Sequence, residues 1–237
     1  MKALILNAGL GSRMGDITKD KPKCMTKIYN DETILKRQLR LLNKYNVKDI
    51  IMTTGYKEDI LVSYIKNDIN DITKDMNIVF SYNEKYDITN YIYSIYLARN
   101  DLNDDILLMH GDLVFDEEVL KKILSVNKTS MVISTTKEIP EKDFKAVVIN
   151  GKVVKVGVDY FNNAYYAEAM YYLKKDDFYI WLNKIIEFCE NGNTKVYAEN
   201  AFNELNGKIN MYPLDIKDLL CGEIDNKDDL EKIMKEV

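Results

Sequence analysis

At 237 residues with 46% apolar side chains, the chain is long enough for one large α/β folding unit with a proper core. A formal charge of −5 argues against nucleic acid or an anionic membrane as the main partner, so basic groups that bind an anion must act locally. A single histidine and three cysteines without metal-type spacing leave too little for a histidine-cluster metal site or a Ser-His-Asp machine, and the thiols fit a reducing compartment. With no leader segment and no run of about 18 apolar residues, the expectation is a soluble, cytoplasmic protein.

Residues Lys2 to Leu6 read as a buried strand that stops at Asn7-Ala8-Gly9-Leu10-Gly11-Ser12-Arg13, with Lys21-Pro22-Lys23 close behind. Glycine lets backbone N–H groups approach an anion with no Cβ in the way, and Arg13 can grip phosphate oxygens with two parallel bonds. This is a phosphate site: Leu6, Asn7, Ala8, Gly9, Gly11 and Ser12 are nucleotide-binding candidates, and Arg13 and Lys23 catalytic ones. Met14 stands where a dinucleotide fingerprint and a P-loop both need glycine, which disfavours NAD and excludes P-loop ATPase chemistry.

Apolar residues at helical spacing then fill 34–45, and the rhythm repeats as strand 49–54, turn Gly55-Tyr56 and helix 58–65. Strand 77–82, a helix from Asn90 and strand 105–109 follow. Such alternation predicts a parallel sheet with helices on its faces and ligands at the carboxyl ends of its strands, where the glycine loop, Asn83 and Asp112 all lie. Asp112, delivered by Gly111 at the end of a buried strand, offers the hard oxygens that Mg²⁺ takes; a turn aspartate is the plainer alternative. His110 is expected to be a packed strand residue near the site, not a catalyst.

From Ser130 the texture changes. Asn150-Gly151 between apolar runs signals a tight hairpin over 147–154, and strand 165–173, helix 176–190, short helix 197–205, strand 209–214 and closing helix 227–234 follow. No linker or repeat interrupts the chain. One domain is therefore expected, with 1–130 as the nucleotide-binding half, 131–215 as an acceptor-binding insertion over the site, and 216–237 as closing strand and helix. Asp225 suits either a second metal carboxylate or the N-cap of the last helix.

The pattern G-x-G-x-R, a polar spacer, then P-K behind a first strand resembles the nucleoside-triphosphate transferase family, with Asn7 departing from the usual alanine. The resemblance implies a mainly parallel, Rossmann-like sheet of the GT-A type with helices on both faces and an inserted antiparallel hairpin and helical cap. It further implies Mg²⁺ held by Asp112 and Asp225, and transfer of a nucleotide to a phosphorylated small molecule with release of pyrophosphate. Asn83-Glu84-Lys85-Tyr86, the run from Asn90 to Leu97, and Glu223-Ile224-Asp225 look like the cytidylyltransferases that activate phosphocholine and related phospho- or phosphono-amines for surface polysaccharide or lipid modification. CTP is then the nucleotide, and a monomer or homodimer the assembly. Asn83 and Asn90 either read a pyrimidine edge or serve as turn and N-cap residues.

Glu168, Tyr166 and Lys145 are the acceptor candidates. Strand alternation puts Tyr166, Glu168 and Met170 on one face, where rings and a carboxylate suit a cationic head; aromatics filling a β-layer are the alternative. Phe144 stands where phosphocholine enzymes have tryptophan. That departure points to a primary amine or amino-acid head, such as aminoethylphosphonate or phosphoglutamine, with phosphocholine kept open. A sugar-1-phosphate uridylyl- or thymidylyltransferase is the nearest other reading. Of other classes, a GT-A glycosyltransferase lacks its Asp-x-Asp at Asp112-Leu113-Val114, and a non-catalytic nucleotide-binding regulator would release no pyrophosphate.

Overall fold

The computed structural model describes residues 1–139 and 141–237. In chain order, β1 (Lys2–Leu6) leads through the glycine loop to a small hairpin, β2 (Lys27–Tyr29) and β3 (Glu32–Thr33), and then to α1 (Ile34–Lys44) and β4 (Asp49–Thr54). Next come α2 (Glu58–Ser63), α3 (Asn70–Thr73), β5 (Asn77–Tyr82), α4 (Tyr91–Ala98), β6 (Ile106–His110), β7 (Leu113–Phe115) and α5 (Glu117–Ser125). β8 (Ser130–Ser134), β9 (Lys145–Ile149), β10 (Lys152–Gly157), β11 (Ala164–Leu173), α6 (Lys175–Glu190), α7 (Ala198–Asn203), β12 (Tyr212–Asp215), β13 (Cys221–Glu223) and α8 (Lys227–Ile233) complete it.

The central sheet is mixed, in the order β10-β9-β11-β6-β1-β4-β5, with β8 and β12 branching from β11. Strands β6, β1, β4 and β5 run parallel, which fixes the phosphate loop, Thr54 and His110 at one end of the sheet. β11 joins β6 antiparallel. The antiparallel part is thus continuous with the parallel one, so residues from both face the same opening. Helix α5 and strand β8 occupy a stretch to which the sequence reading gave no element.

Alternate residues of the parallel strands feed two cores, as the two-residue side-chain period requires. Leu4, Ile51 and Leu108 pack against Ile92 and Ile95 of α4 and Trp181 of α6 on one face. Ala3, Ile5, Met52 and Met109 pack against Leu35 and Leu39 of α1 and Val119 and Ile123 of α5 on the other. A third, smaller core joins Met14, Val114, Ile224 and Ile233. It clamps the phosphate loop to the segment carrying Asp225, which is why Met14 occupies a position that other glycine loops keep bare.

Candidate active site

The parallel strands β1 and β6 open onto a cavity of about 580 Å³ lined by the glycine loop, Lys23, Asn83, His110, Asp112, Glu223 and Asp225. Gly11 sits at φ +62°, and a Cβ there would stand 3.0 Å from that of Lys23, so the loop needs glycine for both reasons. Thr18 pins the turn by donating to the Gly11 carbonyl at 2.9 Å. Asn7 is buried with its Nδ2 left without a partner among the described residues, a free donor in the lining of the cavity.

Lys23 holds the two halves of the site together. Its ammonium contacts Asp112 Oδ2 directly and Asp225 Oδ1 at 2.8 Å, and Arg13 reaches the same Asp225 oxygen at 2.9 Å. Burial works against the charge on Lys23, but the two carboxylates outweigh it and raise its pKa above the ordinary lysine range. Asp112 answers in kind: burial pushes it up, while Lys23 and His110 pull it below the usual carboxylate range. The register of β7 against β13, with Ile224 N–H donating to the Asp112 carbonyl at 3.1 Å, is what brings residues this far apart in sequence together. The N-cap of α8 is Asn226, in a capping box with Asp229, so the capping role falls to its neighbour and the Asp225 carboxylate is left to the cations.

His110 and Glu223 form a second pair, missed by the sequence reading because only the β7–β13 register brings them together. Their Nδ1 and Oε1 are 2.7 Å apart. Burial opposes the imidazolium, yet Glu223 and Asp112 win and raise its pKa to about 9. The Tyr91 ring meets the imidazole edge-on at 4.7 Å, and Tyr91 in turn donates to buried Glu199, which also accepts from Tyr171 at 2.7 Å.

Three of the expected ligand residues have partners within the protein, and two of them, Asn83 and Asn90, also line the first cavity. Asn83 donates to Thr89 Oγ1 at 3.1 Å and Ser94 Oγ at 3.0 Å and accepts from Lys85 N–H at 2.9 Å, so its amide locks the loop and has little left to read a base. Asn90 caps α4, accepting from Tyr91 N–H at 2.7 Å. Lys145 is buried away from the cavities, its ammonium held by the Glu141 and Val158 carbonyls over the Phe161 ring.

Tyr166 and Glu168 do face an opening. They line a second cavity of about 440 Å³ that shares Arg13, Asp143, Phe144, Glu223 and Asp225 with the first. Tyr171 and Trp181, by contrast, are core, packed edge to face at 5.6 Å. Burial, then the nearby Glu223 charge, raises the pKa of Glu168 well above the usual carboxylate range, with the Tyr166 hydroxyl as partner. A folded-state pKa above the unfolded one means that stability is complete at acidic pH, then declines as pH rises from the unfolded pKa through the folded one. Glu168→Gln should therefore match wild type in Tm only below the unfolded glutamate pKa of about 4.3, and overtake it as pH climbs above that. A Tm gap that stays flat across a pH series of thermal melts would show that folding does not raise the pKa of Glu168.

The chain matches the MobA-like NTP transferase domain over residues 3–158. It is 27% identical to the CTP:phosphoglutamine cytidylyltransferase of Campylobacter jejuni, over 80% of this chain and 78% of that protein. It is also 28% identical to the choline-phosphate cytidylyltransferase of Haemophilus influenzae, over 100% of this chain and 97% of that one. Among solved structures, the fold is shared with the CTP:phosphocholine cytidylyltransferase from Streptococcus pneumoniae, with a TM-score of 0.75, 20% identity and coverage of 99% and 98% of the two chains. The inositol-1-phosphate CTP transferase from T. maritima gives a TM-score of 0.79 at 20% identity, covering 99% and 95%. With a family match across most of its length and the glycine loop, lysine and carboxylates in one cavity, the chain belongs to the MobA-like NTP transferase family and is a nucleotidyltransferase.

Proposed function

We propose that the protein is a cytidylyltransferase that couples CTP to a small phosphorylated amine or amino acid, yielding a CDP-linked product (CMP-linked where the acceptor is a phosphonate) and pyrophosphate. A phosphate or phosphonate oxygen of the acceptor attacks the α phosphorus, the bond from that phosphorus to the bridging oxygen breaks, and pyrophosphate leaves. The observation that carries this reading is the Lys23 ammonium poised between Asp112 and Asp225, with Arg13 beside them, at the foot of the glycine loop. Such a reaction brings anions together, so positioning and charge neutralisation are its main demands. Arg13 and the loop N–H groups hold the β and γ phosphates, and Lys23 meets charge building on the α phosphate.

Asp112 and Asp225 would hold a Mg²⁺ ion. The fit is chemical: Asp112 Oδ1 is buried without a partner among the described residues, and both side chains offer hard carboxylate oxygens. When bound, the ion supplies charge neutralisation between the two phosphates. Asp112→Asn and Asp225→Asn should each lower turnover by roughly 10²-fold, the scale of losing one transition-state electrostatic contact. Chelator should reproduce that loss in wild type. Turnover of Asp225→Asn within about threefold of wild type would remove Asp225 from the reaction, since the loss of one such contact costs far more.

For the acceptor, support comes from the second cavity, whose wall includes Tyr166, Glu168, Asp143 and Asp229. A cationic head entering beside Glu168 would favour the ionised carboxylate and so pair with it, and the one tryptophan lies in the core, leaving no indole for a quaternary ammonium cage. The test is a matrix of four NTPs against phosphoglutamine, aminoethylphosphonate, phosphocholine and sugar 1-phosphates, read as pyrophosphate release. CTP with an acceptor carrying a primary amine or amino-acid head should lead. A lead for UTP or dTTP with a sugar 1-phosphate would overturn the proposal.

A further inference from the structure

Asp112 Oδ1, the oxygen that Lys23 does not occupy, is buried beside His110 and Glu223. One donor atom each from His110, Asp112 and Glu223 lies within 4.8 Å of the other two. Within that trio, His110 Nδ1 lies 2.7 Å from Glu223 Oε1 as an ion pair, while His110 Nε2, Asp112 Oδ1 and Glu223 Oε1 are all buried without a hydrogen-bond partner among the described residues. A buried polar atom left unpaired costs about 1–3 kcal/mol, so three in one trio of neighbouring residues mark a position built for something else. An imidazole oriented by a carboxylate on one nitrogen, with the other nitrogen bare, is the usual arrangement of a metal-binding histidine. The Tyr91 ring, edge-on at 4.7 Å and tied to Glu199, further fixes the imidazole plane.

We propose that His110 is a nitrogen ligand to the divalent cation of this site, acting beside Asp112 with Glu223 as the carboxylate that orients its ring. This rests on the metal role proposed above for Asp112. Mg²⁺ prefers an all-oxygen shell, whereas imidazole suits first-row transition ions. The site therefore binds Mn²⁺ in preference to Mg²⁺. His110 would bind as the neutral imidazole, with Nδ1–H toward Glu223 and the Nε2 lone pair left for the ion.

His110 is the one histidine in the chain, so in tag-free protein any imidazole nitrogen coupled to a bound ion is its own. Mn²⁺ added to the full chain without nucleotide should bind and show ¹⁴N modulation in pulsed electron paramagnetic resonance. His110→Asn should abolish that modulation and weaken Mn²⁺ binding by about tenfold or more, with a smaller change for Mg²⁺. Glu223→Gln should keep the modulation but weaken binding, which covers the case in which the histidine variant does not fold. Bound Mn²⁺ without nitrogen modulation, modulation that survives in His110→Asn, or no Mn²⁺ binding would each overturn the inference. Pyrophosphate release measured on the same preparation separates the two readings. Transfer from CTP without a nitrogen signal defeats the histidine ligand alone, and a nitrogen signal with no transfer from any NTP defeats the cytidylyltransferase reading alone.

Discussion

Replacing Lys23 with alanine should lower turnover by about 10²-fold or more while the protein stays folded, because the lost ammonium acts on charge that grows only in the transition state. Lys23 is also the counter-charge of Asp112 and Asp225 in the free protein. Its removal leaves two carboxylates side by side, and breaking a buried ion pair in this way typically costs about 3–5 kcal/mol. Proton uptake by one carboxylate limits that cost. The same change gives the pair a stronger appetite for an external cation, so added Mg²⁺ should raise the Tm of Lys23→Ala by more than that of wild type, through its selective binding to the folded state. Lys21 supplies the control. It lines neither cavity and joins no ion pair among the described residues, so Lys21→Ala should change turnover less than about twofold, in keeping with the small effects of most surface substitutions. Steady-state pyrophosphate release and thermal melts with and without Mg²⁺ check both halves. Equal loss in the two variants would mean a general basic field and not a placed lysine.

Why was Lys23 legible from the letters when His110 was not? The phosphate loop is a local device. Gly9, Gly11, Arg13 and Lys23 lie within fifteen residues of one connecting segment, and the physics that selects them acts over the same short span. Asp112 was nearly as plain, since a buried apolar strand that ends in Gly-Asp has one place to deliver its carboxylate. The His110–Glu223 pair depends instead on three-residue strands, β7 and β13, whose register no sequence period records. Asn83 is a related case: it lines the cavity as expected, but its partners Thr89 and Ser94 lie across a loop and on the next helix, and only packing shows how much of the amide is already engaged. Helix α5 was within reach. Asp116 before Val119, Leu120 and Ile123 is a start signal with helical spacing, hidden because β7 ends so close to it. The split of aromatic residues between core and cavity was half visible: alternation separated Tyr166 and Glu168 from Tyr171, but which face was open depended on β8 pairing along β11.

Gly111→Ala should cost both stability and turnover, although its backbone needs no glycine. The φ angle there is not in the left-handed region, so the constraint is space alone. A Cβ would fall 1.7 Å from Asn7 Oδ1, 2.4 Å from Asn7 Cγ and 2.9 Å from the Leu6 carbonyl oxygen. The first two contacts can be relieved by turning the Asn7 amide toward the cavity it lines, but the third is backbone. Leu6 O accepts the Gly111 N–H at 3.0 Å, so relief there means prying β6 from β1 at the point where both reach the site. Overpacking of this kind costs roughly 1–3 kcal/mol, and for a domain of this size each kcal/mol lowers Tm by about 2–4 °C. A loss of about 5–10 °C is expected at the upper end of that range. Turnover should fall as well, because the residues on either side are His110 and Asp112. The double variant Asn7→Ala/Gly111→Ala separates the causes. It should recover the part of the Tm loss due to the amide while turnover stays low, since the strain on the Leu6 carbonyl still displaces Asp112 from Lys23. Full recovery of both would mean that the backbone of β6 yields freely, and that the alignment of Asp112 does not depend on the close approach of these two strands.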